Sequence, residues 1–267
     1  MLDRSRIAVV IPALNEALRI RGVVEGALAE CPHVIVVDDG SDDGTHAAIA
    51  DLPVTVLRHA TRMGKGHSLR DGFAHARTLG VEAVVTMDGD GQHSAADIPR
   101  LVEAANHHPG HIVIGARLRK RALQPTYRKL ANHFGDWGIA WGTGYRIADT
   151  QSGQRLYPAA VAALEVPGED FVFEAQILIS AAQRLGTRCV SVPIESRYLC
   201  VHSDEQFRPS HFKPVRDFTR ITAHVARTVL ARGDMLATWR RIRANPPVVF
   251  DPTGEFATVP DGLSHAR

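Results

Sequence analysis

Short apolar runs rich in β-branched residues recur along the chain, at Ile7–Ile11, Val34–Val37, Val54–Leu57, Ala83–Met87, Ile112–Ile114 and Cys189–Ile194. Each has the length of a strand. They are nearly continuous rather than alternating, the pattern of strands covered on both faces in a mainly parallel sheet. Between the first two, Ile20, Val23, Ala27 and Leu28 fall at helical spacing, with Asn15 as candidate N-cap. Strands alternating with helices predict a single α/β domain, a Rossmann-like, mainly parallel sheet with helices on both faces. From about 116 to 165 the pattern breaks into Gly- and Arg-rich sequence, which predicts a long irregular segment over the site rather than a second domain. Beyond about 243, four prolines and little periodicity predict an extended or disordered tail. The expected organisation is a core domain over 1–205, a basic amphipathic helical extension over 206–243, and the tail over 244–267.

Composition narrows the class. The chain has 267 residues, 45% hydrophobic and 22% charged, ordinary globular values. A formal net charge of +2 gives no reason to expect a nucleic-acid partner. Three cysteines, Cys31, Cys189 and Cys200, form no CxxC pair and encode neither a disulfide framework nor a zinc site. No apolar run approaches the ~18 residues of a spanning helix. The opening residues carry a five-residue apolar run without a cleavage signature, so no signal peptide is expected. The expected location is cytoplasmic, with peripheral attachment to the inner membrane face left open.

In an open α/β sheet, ligands bind beyond the carboxyl ends of the strands. Three polar clusters fall there: Asn15-Glu16 after the first strand, Asp38 to Ser41 after the second, and Asp88-Gly89-Asp90 after the fourth. Each alone has the residues of a plain turn; three at one sheet edge point to a site. In Asp88-Gly89-Asp90-Gly91-Gln92 the two carboxylates reach one small volume, which is costly unless a cation lies between them. Mg2+ or Mn2+ takes one or two carboxylates and completes its octahedron with phosphate oxygens and water, so a metal–diphosphate is the expected ligand, with Gln92 as neutral helper. A calcium loop would need Gly and Glu where His93 and Pro99 stand.

Asp38 to Thr45 is a second acidic loop; it reads either as an acceptor for base or ribose groups or as a capped turn. Arg62 to His67 lacks P-loop spacing, and its Lys65 is only a weak anion contact. Basic residues cluster twice, at Arg117, Arg119, Lys120, Arg121, Arg128 and Lys129, and from Arg208 to Arg243 with nine Lys or Arg against two Asp. In the second cluster Phe218, Ile221, Val225 and Val229 form one helical stripe with Arg216, Arg220 and Arg227 opposite. A solvated helix face and a helix lying on anionic lipid are equally consistent with it. The histidines are scattered, and no GxSxG nucleophile motif occurs.

Taken together, the segments Val9 to Glu16, Val36 to Thr45, Gly64-Lys65-Gly66, Met87 to His93 and Asp149 to Tyr157 resemble the family 2 glycosyltransferases, in order and with family-like spacing from about residue 5 to 200. Within that family the chain is most similar to the dolichyl- and polyprenyl-phosphate sugar transferases. The resemblance implies a GT-A fold, a hexosyltransferase-like activity on a UDP- or GDP-linked sugar donor, a divalent metal and inversion at the anomeric carbon. It implies that Pro12 and Glu16 contact the nucleotide and Asp39 its base or ribose. Asp88 and Asp90 would handle ribose and metal with Gln92 beside the metal, and Arg117 and Arg197 would meet phosphate of donor or acceptor. Asp90, Arg117 and Arg197 are the candidate catalytic residues.

Relatives that glycosylate hydroxyls carry a Glu-Asp pair whose Asp is the general base; the matching place here is Glu174-Ala175, and Asp170 is out of register. A phosphate acceptor is already ionised near neutral pH, its second pKa being about 6, and needs no base. A polyprenyl phosphate or other lipid acceptor is therefore expected, docked at an anionic membrane surface. Transfer to a hydroxyl, with Asp170 or Glu174 as base, is one alternative. A catalytically quiet module binding a nucleotide sugar or a membrane is the other.

Overall fold

The computed structural model describes residues 1–118, 126–166, 171–194 and 234–254, with the backbone alone for 126–134 and 171. Eight strands form one sheet: β1 (Ile7–Ala13), β2 (His33–Asp38), β3 (Thr55–Arg58), β4 (Ala83–Thr86), β5 (Ile112–Ala116), β6 (Arg155–Pro158), β7 (Cys189–Pro193) and β8 (Val248–Val249). Their order across the sheet is β3-β2-β1-β4-β6-β5-β7-β8. Every pairing is parallel except those of β6, which runs antiparallel to β4 and β5. The chain is thus a single α/β domain on a mainly parallel sheet, as the sequence pattern predicts.

Both faces of the sheet are covered. Along β1, Ala8 and Val10 enter one apolar cluster while Ile7, Val9, Ile11 and Ala13 enter the other. In β2, Ile35 and Val37 divide from Val34 and Val36 in the same way, which explains the continuous apolar runs. Helices α1 (Ile20–Glu30) and α3 (Ile98–His107) supply the second cluster. Helices α2 (Lys65–Thr78), α4 (Thr126–Thr143), α5 (Ala159–Ala162) and α6 (Phe171–Ser180) lie on the side of the first, where Phe73 meets Tyr157 and Phe173 at centroid distances of 5.3 and 6.2 Å. Helix α7 (Met235–Ala244) packs on α4 and leads into β8, whose edge is closed by Phe250 N–H donating to Ser191 O at 2.9 Å.

Two expectations are corrected. Within the stretch from 116 to 165 the described residues hold α4, β6 and α5 rather than one long irregular segment. Its glycines are packing positions rather than loop signals: a Cβ on Gly142 would strike the Ile179 side chain at 2.6 Å, and one on Gly135 would meet Gln151 Nε2 at 2.8 Å. Strand β6 escapes notice because it opens on Arg155, a charged residue that is nevertheless fully buried. The second correction is Asn15, which does not cap α1. That helix begins at Ile20 after Arg19, and Asn15 sits at φ +58°, a left-handed conformation Asn tolerates. The stripe from Phe218 to Val229 lies outside the described residues.

Candidate active site

The strand order reverses direction at β1 and β4: from β1 the chain winds outward through β2 and β3, and from β4 toward the other edge. A crevice opens at such a switch point beyond the carboxyl ends of the strands. Pro12 and Glu16 follow β1, Asp39 follows β2, Asp88, Asp90 and Gln92 follow β4, and Arg117 follows β5. All these expected residues therefore share one sheet edge; Arg197 lies outside the described residues.

The exits of β1 and β2 are clamped together. Ser41 Oγ accepts from Asn15 N–H at 2.9 Å, Asn15 Oδ1 accepts from Asp42 N–H at 3.0 Å, and Thr45 Oγ1 accepts from Glu16 N–H at 2.8 Å. Asp43 accepts from Ala17 N–H at 3.0 Å and from the Thr45 backbone at 2.9 Å. Burial opposes its charge, but these hydrogen bonds prevail and lower its pKa. The acidic loop is therefore in large part a fastening. Asp39 is buried, with Oδ1 accepting from His59 Nδ1 at 2.7 Å and Met63 N–H at 2.8 Å, and Oδ2 from Gly64 N–H at 2.8 Å. Its carboxylate holds the loop that opens α2.

Helix α2 starts at Lys65, directly after Gly64 at φ +98°. Lys65 Nζ lies 2.7 Å from Asp88 Oδ1 and 3.2 Å from Glu174 Oε1, bridging the end of β4 to α6. Asp88 Oδ2 faces His93 Nε2 at 3.5 Å. Burial penalises the Asp88 charge, yet Lys65 and His93 hold its carboxyl well below the usual range. Asp90 moves the other way: burial and the neighbouring Asp88 charge raise its pKa, although its Oδ1 accepts from Gln92 N–H at 3.0 Å. Gln92 itself is exposed. Gly153 packs so tightly on Asp88 that a Cβ would collide with its carboxylate.

At the far side, Arg117 Nε and Nη2 donate to Asp149 Oδ2 and Oδ1 at 2.8 and 3.0 Å, a fork that takes two of the five N–H groups of a guanidinium. Burial opposes the Asp149 charge and Arg117 more than restores it. Arg155 fixes the connecting loop from beneath, donating to Ser152 O at 2.7 Å, Thr150 O at 2.7 Å, Glu174 O at 3.0 Å and the Tyr157 hydroxyl at 3.1 Å.

Metal fit can be judged from the donor set. Among the described residues no group of three or more His, Cys, Asp or Glu is placed to hold a metal ion by itself. Asp88 and Asp90 are two hard carboxylates, repelling one another, with a cation already drawn to Asp88. That set suits a Mg2+- or Mn2+-type ion whose remaining ligands come from a diphosphate and water, not an all-protein cage. Sequence reasoning gave Lys65 too little weight and assigned no role to Asp149 or Arg155. The available signal was only that charged groups at buried strand ends must find partners.

The chain is similar to known proteins in sequence and in fold. The family described as "Glycosyl transferase family 2" matches residues 8–163. An undecaprenyl-phosphate mannosyltransferase of Micrococcus luteus is 32% identical over 204 residues, covering 71% of this chain and 82% of that protein. A UDP-N-acetylglucosamine–dolichyl-phosphate N-acetylglucosaminyltransferase of Methanococcus voltae is 29% identical over 173 residues, covering 57% and 68%. In fold, the chain is similar to glucosyl-3-phosphoglycerate synthase from Mycobacterium tuberculosis, solved with Mn2+, UDP and phosphoglyceric acid, at a TM-score of 0.59 and 20% identity over 86% of this chain and 79% of that one.

Proposed function

The chain belongs to glycosyl transferase family 2, and from that footing we propose that it transfers a sugar, with inversion, from a nucleotide-sugar donor to a polyprenyl phosphate. The observation that carries the acceptor class is at the start of α6. Ala175, 5% exposed, stands at the position where hydroxyl-glycosylating relatives carry their Asp base, and the neighbouring Glu174 carboxylate is engaged by Lys65 at 3.2 Å. A hydroxyl acceptor must lose its proton to a general base, whereas a phosphate monoester arrives already ionised. The likeness to an undecaprenyl-phosphate mannosyltransferase supports the same class.

In this reading the crevice between β1 and β4 receives the nucleotide diphosphate. Pro12 and Glu16 line the nucleoside, and Asp39 serves it through the Gly64 loop that it anchors. Asp88 and Asp90, with Gln92 beside them, hold Mg2+ or Mn2+. When bound, the ion supplies positive charge to the departing diphosphate. Lys65 turns from Asp88 toward donor oxygens as that charge builds, and Asp149 keeps the Arg117 guanidinium at the end of β5 to receive phosphate, with Arg197 as its partner from outside the described residues. Positioning and fixed charge do the catalysis, without a covalent enzyme intermediate.

The test is to incubate the chain with radiolabelled UDP- and GDP-sugars, Mn2+, and either undecaprenyl phosphate or undecaprenol. Label in the lipid fraction with the phosphate alone is expected. Transfer to the free alcohol but not to the phosphate would overturn the acceptor assignment.

A further inference from the structure

We propose that α7 and the adjoining part of α4 form a docking face for an anionic lipid bilayer, an inference that rests on the lipid-acceptor reading above. Large apolar side chains are concentrated on this helix pair in exposed positions: Leu236 is 74% exposed, Met235 51%, Trp239 46%, and Trp137 on α4 52%. On α7 only Thr238 and Ile242 are buried, and they face the fold. At about 100° per residue, Met235, Trp239, Arg243, Leu236 and Arg240 occupy one outward arc of roughly 140°. The arc holds three apolar and two cationic side chains and no acid.

The charges on this arc are available to a partner. Asp234 is taken by Arg241 at 2.7 Å, while neither Arg240 nor Arg243 has an acidic partner among the described residues. The Arg243 guanidinium lies over the Trp239 ring at 4.9 Å, an arrangement that keeps a cation and an indole side by side at one level. Indole at the headgroup level, with arginine reaching lipid phosphate and Leu and Met below, is the composition of an interfacial helix. A second copy of the chain fits less well, because two such faces would bring Arg240 and Arg243 against their like. The position also suits the chemistry. Trp137 follows Asp136, whose carboxylate accepts from Thr150 N–H at 2.9 Å, and Thr150 follows the Asp149 that holds Arg117. The helix that carries Trp137 is thus tied, through Asp136 and Thr150, to the loop whose Asp149 holds Arg117.

The experiment is co-sedimentation of the full chain with phosphatidylcholine vesicles, with and without phosphatidylglycerol, alongside turnover of a short-chain, water-soluble prenyl phosphate. Wild type is expected to bind the anionic vesicles and to leave the zwitterionic ones. Trp239→Ala with Leu236→Ser should cut binding by at least about tenfold, and Arg240→Gln with Arg243→Gln by roughly thirtyfold, from about one unit of surface attraction lost per arginine. Both double variants should turn over the soluble acceptor as wild type does, and Leu185→Ser, exposed elsewhere, should bind vesicles normally. Vesicle binding unchanged in both double variants overturns the assignment. So does a dimer that Trp239→Ala dissociates, without vesicle binding, which would make the face an interface between copies. Vesicle binding by wild type without transfer to any prenyl phosphate would uphold the docking face and bring down the proposed function instead. Transfer to the soluble acceptor without vesicle binding would do the reverse.

Discussion

Lys65, Asp88, Asp90 and Glu174 form a chain of alternating need. Asp88 is held ionised by Lys65 at 2.7 Å, while Asp90, half-buried beside it, has its pKa raised by burial and by the Asp88 charge. An acid with a raised folded pKa weakens the fold as pH rises through its range, so the Asp90 charge is retained at a cost to stability. Asp90→Asn removes that repulsion. Its melting temperature should match or exceed that of wild type at neutral pH, while sugar transfer falls by about two orders of magnitude or more; activity close to wild type would remove Asp90 from the metal site. Lys65→Met makes the opposite change, leaving two partly buried carboxylates without their cation. It should destabilise by roughly 2–4 kcal/mol, discounted from the about 3–5 kcal/mol of a broken buried pair because Lys65 and Asp88 retain some solvent contact. Urea unfolding at neutral pH checks this, and a loss under half of one kcal/mol would mean that the bridge is incidental.

Between the elements, His59 is the fastening that joins three of them. It follows β3, takes Asp39 at the end of β2 at 2.7 Å on Nδ1, and takes Asp71 on α2 at 2.9 Å on Nε2. Burial would lower its pKa, but the two carboxylates outweigh burial and raise it. A raised folded pKa gives stability that is complete below the unfolded value of about 6.5 and is lost as pH climbs through the folded value. Melting temperature should therefore decline from about pH 6 upward, and His59→Gln should flatten that decline; an identical slope in the variant would deny the histidine this role. How much of this was legible depended on the element. The runs Ile7–Ile11 and Val34–Val37 announce β1 and β2 because both faces of those strands are apolar. Asp88 and Asp90 were legible as a pair because a strand end aims alternate carboxylates together. By contrast, β6 begins with a buried arginine whose partners, Ser152 O, Thr150 O and Glu174 O, are fixed only by tertiary structure. Helix α4 is masked by Gly135 and Gly142, whose purpose is close approach to Gln151 and Ile179. Lys65 looked like a loop cation because its two acids lie 23 and 109 residues away in sequence.

At the scale of the molecule, the sheet divides at β1 and β4 into a half that carries the acidic clamp and a half that carries Arg117 and Asp149. The clamp half is joined without a ligand: Asn15, Ser41, Asp42, Asp43 and Thr45 are hydrogen-bonded among themselves. The seam is where charge is incompletely balanced, since burial and the Asp88 charge both oppose the ionised form of Asp90. A nucleoside diphosphate alone would add negative charge to that seam and be resisted by it. The same ligand with Mn2+ would relieve it. Binding of a diphosphate should therefore depend on the ion, and the ion's binding on the diphosphate, because neither half of the pair completes its coordination alone. At about a hundredfold above its dissociation constant, such a ligand stabilises the native state by about 2.7 kcal/mol. For a domain of this size that corresponds to a rise in melting temperature of roughly 5–10 °C. A panel of UDP, GDP, CDP and dTDP, each with and without Mn2+, should show the rise for one nucleotide and only with the ion, and Asp90→Asn should lose it. A rise that is equal with and without Mn2+ would place the diphosphate on Lys65 and the backbone instead of on the paired carboxylates. No rise with any nucleotide would remove the donor site from the β1–β4 crevice.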